Sequence, residues 1–223
     1  MKTAMILAAG RGERLRPITD SRPKAMCTIN QIPLIEYHVE NLACAGFERL
    51  IINHAYLGGQ IRQQLGHGAR WGIDICYSPE PPGGLETGGG IVNALPLLGN
   101  QPFAVVKADM FTAYPFASLK LLATRLAHLV LVNKPPYLQQ GDFGLSTSGQ
   151  LDDIHRLYTF AGIACYRPEL FHHSKPGRYS LTPRLRQLAI NKQATGEIYH
   201  GTWFDIGSPE RLALVNKTFH PKY

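Results

Sequence analysis

Long apolar runs are missing from this chain. Nowhere do about 18 apolar residues follow one another, which excludes a transmembrane α-helix. No secretory leader is expected either, because residues 3–8 already read as a buried strand, and a cytoplasmic location is expected. Cys27, Cys44, Cys76 and Cys165 form no Cys-x-x-Cys pair and have no histidine at metal-ligand spacing. They read as reduced, mostly buried small residues, which excludes a zinc centre and a disulfide framework. Repeats and low-complexity linkers are absent, so residues 1–223 are expected to form a single domain. Acidic residues are few: 16 Asp and Glu stand against 23 Lys and Arg, a net charge of +7. The bases are scattered and lack interleaved aromatics, so no nucleic-acid partner and no membrane partner are expected. An anionic small molecule accounts for the surplus equally well.

The one dense basic cluster, Arg11, Arg14, Arg16, Arg22 and Lys24, lies in and after a single turn. That turn follows an apolar strand: Met5-Ile6-Leu7-Ala8-Ala9-Gly10-Arg11-Gly12-Glu13-Arg14-Leu15-Arg16-Pro17, then Pro23-Lys24. Glycines let backbone N–H groups approach phosphate oxygens, and fixed cations neutralise the charge. The dinucleotide fingerprint is excluded, because Glu13, Arg14 and Leu15 follow Gly12 and no third glycine is present. The Gly-Lys-Ser/Thr ending of a P-loop is also lacking. A nucleoside triphosphate is the expected ligand of residues Leu7, Ala8, Ala9, Gly10, Arg11, Gly12 and Glu13.

Strand and helix patterns alternate through the first part. Strands are expected at 3–8, 50–52, 73–77, 103–107 and 128–132, with helices at 34–43, 57–65, 87–95 and 116–127. This alternation implies right-handed βαβ units and a mostly parallel central sheet. After about residue 133 the pattern changes to antiparallel strands at 142–146 and 158–166. A helix at 181–191, a strand near 203–204 and a closing helix from Pro209 complete it. The chain therefore divides into a nucleotide-binding core (1–132) and a substrate-side portion (133–223).

An aspartate just past a buried strand suits Mg²⁺, a hard cation that prefers carboxylates and keeps waters. Asp109, in Val105-Val106-Lys107-Ala108-Asp109, is so placed, and Asp205 in Trp203-Phe204-Asp205-Ile206-Gly207 ends a second strand. The two are expected to converge on one ion. Three glycines at a helix start, in Leu85-Glu86-Thr87-Gly88-Gly89-Gly90, allow a flat ligand to approach unpaired N–H groups there.

The spacing Leu-x-x-Gly-x-Gly-x-Arg-Leu-x-Pro followed by Pro-Lys resembles the sugar-phosphate nucleotidyltransferase family, whose members join an NTP to a sugar 1-phosphate. The resemblance implies a Rossmann-like three-layer α/β/α fold with an antiparallel sugar-side elaboration, Mg²⁺ as cofactor, and a monomer or weak homodimer. It makes Arg14 the grip on the β- and γ-phosphates and Lys24 the bridge between the α-phosphate and the attacking group. Glu86, Thr87 and Gly88 would contact the base. The string Trp203-Phe204-Asp205-Ile206-Gly207 resembles the family's Trp-x-Asp-x-Gly segment. Bifunctional relatives carry a C-terminal hexapeptide β-helix, and none is expected here.

Further segments extend the resemblance over nearly the whole chain: Asn53-His54-Ala55-Tyr56-Leu57-Gly58, Gly141-Asp142-Phe143, Thr159-Phe160-Ala161-Gly162-Ile163 and Gly201-Thr202-Trp203. They narrow it to members that use UTP and a muramic acid 1-phosphate in cell-wall recycling. On that reading Asn53, Asp142, Phe160 and Gly162 belong to the sugar pocket. Three departures stand out: Lys107-Ala108-Asp109 replaces a common Asn-Gly-Asp, Ala25-Met26 follows Lys24 in place of Pro-Leu, and Asn133-Lys134-Pro135 lacks an acidic residue. Lys107 could point toward the metal site, where it would pair with Asp109, compete with Mg²⁺ or grip phosphate. Glycine-borne amides can serve several bases, so thymidylyl or guanylyl transfer to a glucose, mannose or heptose 1-phosphate stays open. So does a non-catalytic nucleotide-sugar sensor on the same fold.

Overall fold

A seven-stranded sheet forms the middle layer of the computed structural model, which describes residues 1–219. The last four residues of the expected substrate-side portion, 220–223, lie outside the described residues. The first half contributes β1 (Thr3–Leu7), β2 (Thr28–Ile29), β3 (Ile32–Pro33), β4 (Arg49–His54), β5 (Asp74–Pro79) and β6 (Phe103–Lys107). Then follow β7 (Met110–Thr112), β8 (Ala127–Asn133), β9 (Gly144–Leu145) and β10 (Leu151–Asp152). The chain closes with β11 (Tyr158–Tyr166), β12 (Ala194–Ile198) and β13 (Trp203–Asp205). The helices are α1 (Leu34–Cys44), α2 (Gly58–Leu65), α3 (Glu86–Leu98), α4 (Thr182–Ile190) and α5 (Pro209–Thr218).

The sheet runs β12-β8-β11-β6-β1-β4-β5. Every neighbouring pair is parallel except the two made by β11, which lies antiparallel between β6 and β8. Along β1, Ala4 and Ile6 enter one apolar cluster while Met5 enters the other, so the strand is buried on both faces. The first cluster holds Val39 and Leu42 of α1 and Ile61 and Leu65 of α2. The second holds Ile91 and Ala94 of α3 and Leu185 and Leu188 of α4. Helices thus cover both faces, as expected of a three-layer α/β/α fold. Each fully buried Leu or Ile contributes roughly 1.5–3 kcal/mol relative to an exposed one, so the spacing of these residues decides which faces meet.

Residues 116–127 do not form the expected helix. Phe116 and Leu119 are buried, but Leu122 is 57% exposed, so the apolar spacing never closes into one face. A 3₁₀ turn spans only Phe116–Ser118. The carbonyls beyond it are taken by partners distant in sequence: Arg167 donates to the Arg125 and Leu122 oxygens, and its N–H donates to Leu126. β12 was not expected from its sequence, Ala-Thr-Gly-Glu-Ile, which has weak strand character. It extends the sheet by pairing with β8, where a Cβ at Gly196 would lie 2.9 Å from the Leu129 carbonyl oxygen.

Candidate active site

Open α/β sheets bind ligands beyond the C-terminal ends of their strands, where neighbouring connections diverge. Here β1 is flanked by β4 and β6, and its register sets Leu7 level with both Asn53 and Lys107. A cleft of about 910 Å³ opens above these ends. Leu7, Ala9, Gly10, Arg11 and Glu13 line one wall, Glu86 and Thr87 another, and Asn53, Lys107 and Asp109 its floor.

The loop after β1 is held in shape at three points. The Ala8 N–H donates to Asn53 Oδ1 at 2.8 Å, and Thr19 Oγ1 donates to the Gly12 carbonyl at 2.8 Å. Gly12 has φ +71°, and a Cβ on it would stand 2.9 Å from the Lys24 Cβ. Only glycine accommodates both that backbone and that neighbour. Arg11 is fixed as well: its guanidinium donates to the Thr19 carbonyl at 2.7 Å and lies 3.7 Å above the Tyr56 ring. Arg14 stands exposed on the 3₁₀ turn Glu13–Leu15 and is not part of the cleft wall.

Lys24 and Asp109 meet at 2.6 Å. Burial pushes the Asp109 carboxyl up, but the Lys24 and Lys107 ammonium groups outweigh it and hold the group below its ordinary value. Asp109 is therefore a carboxylate at neutral pH. Just after it, the Met110 carbonyl accepts a 2.8 Å bond from Nε2 of the buried His38. Burial lowers His38 to about 4, against the opposing pull of that carbonyl and of Asp109, so the ring is neutral at neutral pH.

Asp205 reaches the same region along the backbone. β13 pairs antiparallel with β7, setting Asp205 opposite Met110, and the Ile206 N–H donates to the Asp109 carbonyl at 2.9 Å. Its carboxylate is ion-paired with Arg211, whose guanidinium lies 4.2 Å above the Tyr137 ring. Among the described residues no cluster of three or more His, Cys, Asp and Glu gathers at one point. Asp109, in the turn between β6 and β7, lines the cleft, and Asp205, ending β13, lines a second pocket with Tyr137 and Trp203. Carboxylates of this kind suit a hard cation that takes one or two of them and completes its shell with phosphate and water.

The glycine-rich start of α3 is packed more tightly than expected. The N–H groups of Gly88 and Gly89 are not unpaired: both donate to the Tyr179 carbonyl, at 3.0 and 3.3 Å. A Cβ at Gly88 would meet the Tyr179 ring at 2.5 Å, and one at Gly90 would meet Glu80 at the same distance. These glycines seat the helix against its neighbours, while Glu86 (φ +60°) and Thr87 face the cleft.

On the opposite side, Asp142 accepts the Phe160 N–H at 2.9 Å. Gly162 (φ +80°) forms an irregularity in β11 between Phe160 and Ile163. Trp203 Nε1 donates to the neighbouring Ala161 carbonyl at 2.9 Å. Asn53, expected at the sugar, is 3% exposed, and its polar atoms bond to the Ala8 N–H and to Glu80.

Residues 3–159 match the family model described as Nucleotidyl transferase. The chain belongs to the sugar-phosphate nucleotidyltransferase family. It is 46% identical to an N-acetylmuramate alpha-1-phosphate uridylyltransferase of Neisseria meningitidis, over 94% of each chain. It is 30% identical to a protein of the same name from Caulobacter vibrioides, over 94% of this chain and 93% of that one. A crystal structure described as a glucose-1-phosphate thymidylyltransferase of Bacillus anthracis superposes with a TM-score of 0.84 at 20% identity. It covers 98% of this chain and 94% of that one, a likeness of fold.

Several residues in and around the cleft escaped the sequence reading. Glu80 spans Asn53 Nδ2 at 2.6 Å and the Leu85 N–H at 2.7 Å, joining the phosphate loop's brace to the start of α3. A carboxylate ending a strand after Ser78-Pro79 has no motif of its own. His38 and Arg211 lie on amphipathic helices, where sequence marks only a polar position. No helix among the described residues is long and apolar enough to cross a membrane. Of the cysteines, Cys27 and Cys165 are buried, Cys76 is half-buried and Cys44 exposed, and all are unbridged.

Proposed function

We propose that the chain transfers a uridylyl group from UTP to N-acetylmuramate 1-phosphate, giving the UDP-sugar and pyrophosphate. The observation that carries the chemistry is the Lys24–Asp109 pair beside a glycine loop whose shape is fixed by Asn53 and Thr19. The likeness to the Neisseria and Caulobacter proteins over almost their whole length supports the choice of base and sugar. The reaction belongs to recovery of cell-wall sugars and to the cytoplasm, where UTP is made.

Nucleotidyl transfer is an in-line displacement: a phosphate oxygen of the sugar forms a bond to the α-phosphorus, and the bond to pyrophosphate breaks. The protein need only position two anions and neutralise them. The backbone of residues 9–13 would receive the triphosphate, with Arg11 held rigidly at its side. Arg14, exposed on the adjoining turn, would meet the distal phosphates at the cleft mouth. Lys24 would stabilise charge on the transferring phosphoryl group, held in line by Asp109. Mg²⁺, held by Asp109 and Asp205, would supply charge neutralisation of the phosphates. Glu86 and Thr87 would face the base, and Asp142, Phe160 and Gly162 would shape the sugar side.

The test is pyrophosphate release with Mg²⁺ from UTP, dTTP, GTP and CTP against N-acetylmuramate 1-phosphate and hexose 1-phosphates. Release confined to UTP and the muramate ester is the expected result. Release only with dTTP or GTP and a hexose ester would reassign the substrates, and binding of UTP without any turnover would favour a sensor.

A further inference from the structure

Cations in and beside the cleft are nearly all committed to partners. Lys24 is paired with Asp109, Arg11 bonds Thr19 and Asp20, and Arg178 lies 3.4 Å from Glu86. Of the cations that line the cleft, Lys107 is the exception: among the described residues its Nζ takes part in no ion pair and no hydrogen bond, whereas Arg14, also unpaired there, stands exposed outside the wall. The Lys107 ammonium lies 5.7 Å from the centroid of the Phe160 ring and close enough to the Asp109 carboxyl to act on it, but that carboxyl is already paired with Lys24. The fold makes room for this side chain. A Cβ at Gly162 would lie 3.1–3.3 Å from three carbons of the Lys107 stem, so the left-handed glycine in β11 is built against it. A cation held in a cleft wall without a counterion is costly to desolvate, and an incoming anion offsets that cost.

The position of Lys107 selects the anion. It ends β6, level with Leu7 at the root of the phosphate loop, and on its other flank stands β11 with Phe160 and Gly162. It therefore sits at the boundary between the nucleotide wall and the sugar wall, two residues before Asp109. The triphosphate has its own backbone cradle. Lys134, in the expected substrate-side portion, donates to the Leu138 carbonyl and does not line the cleft. We propose that Lys107 binds the phosphate of the sugar 1-phosphate, holding the attacking anion in place. This deepens, and rests on, the reading of the cleft as a nucleotidyl-transfer site.

The experiment compares the wild type with Lys107→Met, which keeps the stem packed on Gly162, and with Lys107→Arg, which keeps the charge. KM is measured for UTP and N-acetylmuramate 1-phosphate, and Kd by calorimetry for N-acetylmuramate 1-phosphate and for N-acetylglucosamine 1-phosphate, the last lacking the muramate carboxylate. UTP affinity is also measured by calorimetry as a check on folding. Lys107→Met should raise KM for the muramate ester and Kd for both sugar esters by roughly tenfold or more, the usual loss of one charge-assisted contact. KM and affinity for UTP should stay within about twofold of wild type, and Lys107→Arg should recover most of the loss.

A loss confined to the muramate ester would overturn the proposal, assigning Lys107 to the carboxylate. An equal loss toward UTP, or no loss at all, would overturn it too. A wild type that accepts only a hexose ester would refute the muramate assignment while leaving the Lys107 comparison to be made on that ester. A wild type that neither binds nor turns over any sugar ester would sink both.

Discussion

Lys24 and Asp109, 85 positions apart, face each other at 2.6 Å, and the lysine side chain is only 12% exposed. Lys24 holds the Asp109 carboxyl in its charged form, and the pair lies beside the loop that would receive the triphosphate. Removing either partner leaves the other uncompensated.

Lys24→Ala should lower kcat by roughly 10²-fold or more if the ammonium stabilises charge that develops on the transferring phosphoryl group. Steady-state kinetics decide the point, since a change confined to KM would make Lys24 a ground-state binding residue only.

Asp109→Asn preserves shape and removes the charge. Turnover should fall to background, and the Mg²⁺ concentration needed for any residual activity should rise. Near-normal activity across a Mg²⁺ titration would refute the metal role of this residue.

Gly12→Ala places a Cβ 2.9 Å from the Lys24 Cβ in a backbone with φ +71°. Strain of about 1–2 kcal/mol from the left-handed conformation alone should shift the thermal midpoint down. The displaced Lys24 should reduce kcat more than a stability loss of that size explains. An unchanged kcat would show that Lys24 tolerates the displacement.

Asn53→Ala removes the acceptor of the Ala8 N–H and the donor to Glu80 in a buried setting. A loss of about 1–3 kcal/mol in stability is expected from the orphaned partners. A weaker affinity for UTP should accompany it, because the phosphate loop and the start of α3 lose their shared brace. Calorimetry with UTP on the folded variant would measure this.

His38 is held down to about 4 by burial, while an unfolded histidine titrates near its ordinary value of 6.5. Between these values the unfolded chain binds the extra proton, so stability rises with pH across this window and falls as pH drops through it. His38→Gln should flatten the pH dependence of the thermal midpoint between about pH 4 and 6.5. If the dependence persisted unchanged, other groups would be responsible for it.

Much of this architecture could be read along the chain. β1, β6 and β11 are apolar enough to mark themselves, and α1, α3 and α5 show their periodicity and their ends. The turn after β1 was legible because its glycines and arginines are local, and the places of Asp109 after β6 and of Asp205 at the end of β13 because each sits at a strand end. Residues 116–127 were misread, since their apolar spacing mimics a helix while Arg167, distant in sequence, takes the carbonyls a helix would use. The glycines of α3 were seen, but their N–H groups proved to be paired with Tyr179, 91 and 90 residues further on by position number.

By itself the sequence determined the alternation of elements, the burial of β1 on both faces and the place of the glycine-bearing turn after it, because periodicity and turn preference act over a few residues. Tertiary structure alone decided that Glu80 ties Asn53 to Leu85, that Lys24 falls on Asp109, and that Lys107 is left without a counterion against Gly162. Strand order and register set those meetings, and a charge or a buried amide acquires its role only from the groups that packing brings within a few ångströms of it.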